Sequence, residues 1–274
     1  MRALLPEPSD RADLVEMYSK GLPPPESGPF VRVNMISSLD GAVAVAGRAG
    51  GLGGPADKRL FNVLRSLADV VLVGAGTFRV ERYRPVTLPP DLEQLRRQRA
   101  QTAGPLLAIV TRSCRLDWTS SVFRAGPRPI VIAPGNTDAS ALAQARCYAD
   151  VLTAGAGTVN LASAVKAMHE RGLHHVLCEG GPTLNTNLAS AQLIDELCLT
   201  LSPQLAGCVG GVLLGGWLGS AGVWMSRTDD SGERTFRSQP LAQLVRLGLV
   251  HLLEEDGYLF LRMATVRNGA IPEA

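Results

Sequence analysis

VLCEGGPTL, residues 176–184, is the stretch that decides the fold of this chain. Its apolar start is typical of a buried strand, which ends at Glu179, and two glycines then lead to a helix with Pro182 at its first position. Such a junction presents free backbone N–H groups and the positive end of a helix dipole, which suits the diphosphate of a dinucleotide. Glu179 is predicted at the carboxyl edge of the sheet, where open α/β sheets bind ligands. The candidate cofactor-binding residues of this junction are Gly180, Gly181, Pro182, Thr183 and Leu184.

A second strand–glycine–helix junction lies earlier in the chain. Residues 69–74, DVVLVG, predict a central strand of a parallel sheet, and GAGT at residues 74–77 opens the next helix. The third glycine of the GxGxxG dinucleotide motif is missing, so this junction alone is equally compatible with a simple tight turn. Two such junctions in one sheet are a stronger indication, and they make Gly74 and Gly76 cofactor candidates.

Two hydroxyls and an arginine follow the next predicted strand, residues 106–110. Thr111, Arg112 and Ser113 stand at its carboxyl end, where they are candidates to bind the 2′-phosphate that separates NADP from NAD. The alternative is a polar turn without a ligand.

Asp40 follows the first predicted core strand, residues 30–37, which also carries Asn34, a candidate substrate contact. Asp40-Gly41 is typical of a hairpin turn, because this pair tolerates positive φ. The functional alternative is a carboxylate that faces the pocket. Arg65 lies at the border of the apolar stripe of the following helix, where it either covers apolar surface in solvent or binds a phosphate.

Composition excludes several classes of protein. A formal net charge of +2 is too small to indicate a nucleic-acid or membrane partner. Five cysteines without a CxxC pair, and histidines without HExxH spacing, disfavour a disulfide framework and predict no metal site. A reducing, cytoplasmic location is expected. Residues 197–226 carry no charge, but Pro203 and several glycines disfavour a membrane helix.

Alternating parallel-type strands and helices, followed by two strands around Glu255-Asp256-Gly257, predict an α/β fold. We expect a mostly parallel central sheet flanked by helices, with an antiparallel hairpin at the C-terminal end. Residues 1–29 are predicted to be an N-terminal extension and linker, packed outside or loosely held. Residues 30–267 are predicted to form the main domain, and residues 268–274 a tail.

Four motifs occur in an order that resembles a known family. They are SSLDG at residues 37–41, LR at 64–65 with ADVVLVGAGT at 68–77, EGGPTL at 179–184, and DEL at 195–197 with LSP at 201–203. The chain resembles the reductase domain of the riboflavin-biosynthesis deaminase/reductase, which has a dihydrofolate-reductase-like fold.

The resemblance implies an NADPH-dependent reductase that transfers hydride to the ribosyl C1 of a phosphoribosylamino-pyrimidine, in a homodimer. In a departure from the family, no deaminase domain is expected here, because the extension at residues 1–29 is too short to hold one. Thr77, Glu81 and residues 181–187 would contact NADPH, and Asp40 would lie at the nicotinamide end. Arg65 and Glu179 would face the substrate, with Asp40 and Glu179 as catalytic candidates. A cis Gly180–Gly181 peptide bond is also expected.

The chain departs from the family after the Asp-Gly turn. Residues 49–52, AGGL, stand where the family often has a serine and a tryptophan, and only Arg82 and Arg84 lie near the position of a further family arginine. The substrate therefore stays open at this point. A dihydrofolate or other pteridine reductase and a non-catalytic NADPH-binding protein are the alternatives.

Overall fold

The computed structural model describes residues 1–207, 241 and 243–267. The strands are β1 (Arg2–Leu5), β2 (Phe30–Ser38), β3 (Val70–Gly74), β4 (Leu106–Val110), β5 (Ile130–Ala133), β6 (Asp150–Thr153), β7 (His175–Cys178), β8 (Glu196–Ser202), β9 (Leu247–Glu255) and β10 (Tyr258–Thr265). The α-helices are α1 (Leu14–Ser19), α2 (Pro55–Leu67), α3 (Ala75–Val80), α4 (Pro90–Gln98), α5 (Ala139–Tyr148), α6 (Leu161–His169) and α7 (Pro182–Ser190).

The described strands form one sheet in the order β1-β9-β10-β8-β2-β7-β3-β4-β5-β6. All pairings from β8 to β6 are parallel, whereas β10 pairs antiparallel with both β8 and β9. Apolar clusters cover the two faces of the sheet, which explains why central strands such as β3 are almost wholly apolar. The predicted α/β class, with its mostly parallel sheet and C-terminal hairpin, is confirmed.

Helix α2 crosses the sheet, and its apolar residues follow the stripe that the sequence predicts. Pro55 is its first residue, where a missing N–H costs nothing, and the stripe Leu60, Val63, Leu64 and Leu67 is buried. The stripe fixes the rotation of α2 about its axis. Arg65, which follows Leu64 at the border of this stripe, is only partly buried.

The C-terminal hairpin turns at Asp256 and Gly257, which both have positive φ, as the sequence predicts. Its first strand begins at Leu247, and Leu244, three residues before it, is 93% exposed. At the other predicted turn, Gly41 donates its N–H to the carbonyl of Ser38 at 3.0 Å. However, residues 42–46 form no named strand, so the turn is present and a hairpin is not.

Residues of the N-terminal extension are packed against the sheet rather than loosely held. Strand β1 pairs with β9, and the only α-helix described there, α1, buries Tyr18 completely. Arg262 donates hydrogen bonds to the carbonyls of Met17 and Lys20, and Arg32 donates one to the carbonyl of Tyr18. The extension therefore forms part of the sheet's outer layer, and the domain boundary at residue 29 stays a prediction.

Several sequence predictions fall outside the described residues. They concern most of the uncharged, glycine-rich stretch at residues 197–226, the cysteine at position 208 and the tail at residues 268–274. Within the described part of the chain, no helix is long and apolar enough to cross a membrane. In the same part, no cluster of His, Cys, Asp or Glu side chains could hold a metal ion.

Candidate active site

A cleft of about 1590 Å³ opens at the carboxyl ends of the central strands β2, β3, β4 and β7. Single-ligand pockets usually have volumes of roughly 300–1,000 Å³, so this cleft has room for two ligands side by side. The predicted site residues that line it are Asn34, Arg65, Gly74, Gly76, Thr77, Glu81, Thr111, Arg112, Glu179, Gly181, Pro182, Thr183 and Leu184. Asp40, Ser113 and Gly180 are not among its described lining residues.

The two glycine junctions lie against each other in the wall of the cleft. Gly74 donates its N–H to the carbonyl of Gly180 at 2.8 Å, and the Gly180–Gly181 peptide bond is cis, as expected. A Cβ atom on Gly181 would lie 2.5 Å from Oγ1 of Thr77, so a larger residue does not fit there. The starts of α3 and α7 are thereby held together.

This wall fits the diphosphate of a dinucleotide. Gly181 precedes α7 without a side-chain cap, and the hydrogen bonds among the described residues leave the N–H groups of Thr183 and Leu184 unused. A Cβ on Gly76 would meet nothing within 4 Å, so its absence keeps this part of the cleft open. A phosphate binds to N–H groups that are left unused at a helix start, and backbone without side chains beside them lets it approach closely.

A carboxylate–arginine pair lies next to the glycine junctions in the same cleft. Nε and Nη2 of Arg65 donate to Oε1 and Oε2 of Glu179, both at 2.7 Å, and the hydroxyl of Tyr83 also donates to Oε2 at 2.7 Å. The Arg65 guanidinium lies 3.9 Å from the centre of the Phe61 ring, which closes its other face. A bidentate pair of this kind fixes the plane of the guanidinium.

Burial and charge act together on these groups. Burial alone would lower the pKa of Arg65, but the Glu179 carboxylate outweighs it and raises that pKa. Burial, reinforced by the negative charge of Glu179, raises the pKa of Tyr83 well above its usual range. Arg65 therefore stays a cation and Tyr83 stays a neutral hydroxyl, so both remain hydrogen-bond donors.

The remaining predicted residues lie at different parts of the site. Thr111 is buried at the end of β4, where its Oγ1 accepts the N–H of Cys114, and Arg112 is exposed in the cleft wall. Glu81 follows α3, and its carboxylate accepts the backbone N–H of Ala49 at 2.9 Å. Glu81 thus ties α3 to the loop at residues 49–52.

Asp40 lies at the turn after β2, and its carboxylate serves the backbone. It accepts hydrogen bonds from Ser38 Oγ and from the N–H groups of Ala206 and Gly207. These bonds lower the pKa of Asp40 to about 2, and the bond from Ser38 has the largest effect. In the described residues, this carboxylate anchors the chain after β8; its catalytic role remains a prediction.

Comparison with known proteins assigns the chain to a family. Residues 29–222, more than half of the chain, match the RibD C-terminal domain. The chain belongs to the RibD C-terminal domain family.

Named relatives and solved structures agree with this membership. The chain is 27% identical over 180 residues to a 2,5-diamino-6-ribosylamino-4(3H)-pyrimidinone 5′-phosphate reductase of Archaeoglobus fulgidus, covering 65% of this chain and 82% of the relative. A Methanothermobacter thermautotrophicus reductase of the same name is 26% identical over 179 residues, 65% of this chain and 80% of the relative. The crystal structure of a pyrimidine reductase-like protein from Corynebacterium diphtheriae superposes with a TM-score of 0.74 at 25% identity, covering 94% and 100% of the two chains.

Among the residues of this RibD-type cleft that the sequence analysis missed are Asp57, Lys58, Phe61 and Tyr83. The spacing of four residues between Asp57, Phe61 and Arg65 places them along one side of α2, and this signal was readable from the sequence. Tyr83 had no such signal, because its contact with Glu179 spans 96 residues.

Proposed function

We propose that this member of the RibD C-terminal domain family is an NADPH-dependent reductase of a ribosylaminopyrimidine 5′-phosphate, which it converts to the ribityl compound by hydride transfer to C1. The names of the archaeal relatives support this substrate class. The family membership favours it over the pteridine reductase and over a protein that only binds NADPH.

The glycine wall supports the choice of a dinucleotide as cofactor. Gly74, Gly76 and Thr77 on one side, and Gly181 with the first turn of α7 on the other, would hold the diphosphate. Arg112 and Thr111, at the end of β4, would take the 2′-phosphate. NADPH, when bound, supplies the hydride.

The charge of the cleft supports a phosphorylated substrate as well. Its cationic lining residues are Lys58, Arg65, Arg79, Arg82, Arg84 and Arg112, and its anionic ones are Asp57, Glu81 and Glu179. An excess of positive charge in a concave site attracts phosphate esters. We propose that Glu179 acts here by holding Arg65 and Tyr83 toward the substrate, with Asn34 as a further contact.

The observation that carries this proposal is that two features line the same cleft. One is the pair of glycine junctions that fits a diphosphate, and the other is the rigid Arg65–Glu179 ion pair. The test is to mix the protein with NADPH and either the diamino-ribosylaminopyrimidinone phosphate or its deaminated uracil counterpart. We expect loss of NADPH absorbance and formation of the ribityl product, with dihydrofolate as the control substrate. Turnover of dihydrofolate alone, or NADPH binding without any turnover, would contradict the proposal.

We further propose, from the family resemblance, a homodimer located in the cytoplasm. Sedimentation equilibrium of the full chain, with and without NADPH, tests the dimer. A molecular mass of one chain at micromolar concentration would contradict it.

A further inference from the structure

Asp57 is a carboxyl group of the cleft, besides Glu81 and Glu179, that has no role in the function proposed so far. It lies in the first turn of α2 and lines the cleft together with Phe61 and Arg65. At 1.5 Å per residue, Asp57 and Arg65 are about 12 Å apart along the helix axis, with the Phe61 ring between them. An acid and a cation thus stand at the two ends of one stripe that faces the ligand space.

The surroundings of Asp57 favour its neutral form. The side chain is half-buried, and within the described residues it forms no salt bridge. Burial raises the pKa of Asp57, and only the nearby Thr200 hydroxyl on β8 acts against this rise. That hydroxyl makes no hydrogen bond of good geometry within the described residues, so it is a weak partner.

The other groups near Asp57 leave this picture unchanged. Lys58, next along α2, is exposed, and Arg59 is engaged with Glu255 in an exposed ion pair. From β10, Tyr258 packs against Gly54 and donates its hydroxyl to the carbonyl of Leu52 at 3.2 Å. The shift in the pKa of Asp57 comes from its burial and from Thr200, and not from these neighbouring groups.

The other acidic residues of the site already have donors. Glu179 accepts three hydrogen bonds from Arg65 and Tyr83, and Glu81 accepts the N–H of Ala49. Both carboxyl groups are thus already engaged with donors of the protein. Asp57 has no such partner among the described residues.

Reduction of the proposed substrate needs one proton. The ring-closed ribosylamine opens to an imine without net gain or loss of protons. Hydride from NADPH then adds to C1, the electron pair of the C=N bond moves to nitrogen, and the nitrogen accepts a proton. A carboxyl group beside the nitrogen supplies that proton, becomes a carboxylate and is reprotonated from solvent.

We propose that Asp57 is the general acid of this reaction, which donates the proton to the ribosylamine nitrogen while Arg65 holds another part of the substrate. This inference rests on the proposed function and deepens it, because it assigns the proton to a residue other than Asp40 or Glu179.

The test compares Asp57→Asn with Asp91→Asn in the full chain. Asp91 also lies in the first turn of a helix that begins with proline, but it is exposed and outside the cleft lining. Single-turnover reduction by NADPH is followed across pH, together with NADPH affinity from its fluorescence. We expect Asp57→Asn to slow hydride transfer at least about 100-fold at neutral pH, to keep NADPH affinity, and to lose the alkaline fall in rate shown by the wild type. Asp91→Asn should behave like the wild type.

The outcomes separate this inference from the function itself. Wild-type failure to reduce the ribosylaminopyrimidine phosphate removes both. Wild-type turnover with an unaffected Asp57→Asn variant, or one in which only KM rises, overturns the acid role alone. The thermal unfolding temperature of Asp57→Asn should equal or exceed that of the wild type at neutral pH. Burial disfavours the carboxylate form that the unfolded chain carries at this pH, and asparagine removes that cost. If Asp57→Asn does not fold, Asp57→Glu should retain the pH profile at reduced rate, and a flat profile in that variant would overturn the role.

Discussion

Glu179 holds two hydrogen-bond donors of the cleft, Arg65 and Tyr83, in fixed positions. Its two oxygens are occupied by Arg65 and Tyr83, and its side chain is 3% exposed. Both partners are thereby kept as donors with fixed directions. A rigid donor pair of this kind is what orients a substrate before reaction.

Replacement of Glu179 by glutamine should therefore disturb position more than cofactor binding. Glu179→Gln leaves the Arg65 cation without its bidentate partner, so we expect about 3–5 kcal/mol lower free energy of unfolding and roughly 100-fold slower turnover. NADPH affinity should be retained. Urea unfolding, steady-state kinetics and NADPH titration measure the three quantities.

The control for this variant is Glu170→Gln, which breaks the exposed Lys166–Glu170 pair. Exposed pairs contribute less than about 1 kcal/mol, so its stability and kinetics should be those of the wild type. Normal turnover in Glu179→Gln would contradict the orienting role.

Arg112 tests the proposed 2′-phosphate position at the end of β4. Arg112→Ala should raise the Kd of NADPH at least about tenfold and leave that of NADH nearly unchanged, because a charge-assisted hydrogen bond contributes roughly 1.5–3 kcal/mol. Arg124→Ala, an exposed arginine outside the cleft lining, is the control. An equal loss for both nucleotides would place the 2′-phosphate elsewhere.

At the scale of elements, the site depends on two helices that begin side by side. The starts of α3 and α7 approach so closely that a Cβ on Gly181 would lie 2.5 Å from Oγ1 of Thr77. By contrast, the position of a Cβ on Gly76 is open. One glycine is required by packing, and the other leaves space in the cleft.

These two glycines should respond differently to alanine. Gly181→Ala should lower the free energy of unfolding by roughly 1–3 kcal/mol through overpacking, and adding Thr77→Ala should restore part of it. Gly76→Ala should keep or raise stability by about 0.5–1 kcal/mol, since alanine favours the helix, yet weaken NADPH binding because its Cβ enters the cleft. Thermal unfolding and NADPH titration separate the two effects, and an unchanged Kd in Gly76→Ala would exclude a diphosphate beside α3.

At the scale of the whole molecule, a buried ionic cluster joins the N-terminal extension to the sheet. Arg32 and Arg262 both bind Glu196, and all three side chains are no more than 6% exposed. The same guanidiniums donate to carbonyls of α1, and the Tyr18 ring meets the His251 ring edge-on at 4.6 Å. The outer layer is thus fixed to β2, β8, β9 and β10 through charge as well as apolar contact.

We expect the protein to lose stability in mild acid, because His251 beside this cluster must take up a proton on unfolding. Burial first, and then the charge of Arg262, lower the pKa of His251 from 6.5 to about 4. The unfolded chain therefore takes up a proton below about pH 6.5 before the folded chain does, and about 3 kcal/mol of stability is lost as the pH falls to about 4. His251→Phe keeps a ring against Tyr18 and should remove this part of the decline.

The free energy of unfolding of both proteins is measured in urea at several pH values from 8 down to about 4. The difference between variant and wild type at each pH is then compared with their difference at pH 8. A wild type and a His251→Phe variant with parallel pH profiles would contradict the assignment.

Much of the architecture was readable from the sequence by itself. The two strand–glycine–helix junctions, the apolar stripe of α2 and the Asp256–Gly257 hairpin are patterns of neighbouring residues, and backbone preference together with periodic burial specifies them locally. The cis Gly180–Gly181 bond was expected from the family resemblance. The cleft at the carboxyl ends of the strands was expected from the general geometry of open α/β sheets.

Only the tertiary structure decided which side chains meet. Arg65 and Glu179 are 114 residues apart, and their contact depends on where α2 crosses β7. Asp40 binds the backbone after β8 rather than lining the described cleft. Asp57 lies in that cleft beside Thr200. The extension before residue 30 accepts hydrogen bonds from arginines of β2 and β10. Such contacts arise from register and packing between distant segments, for which a local pattern of residues carries no signal.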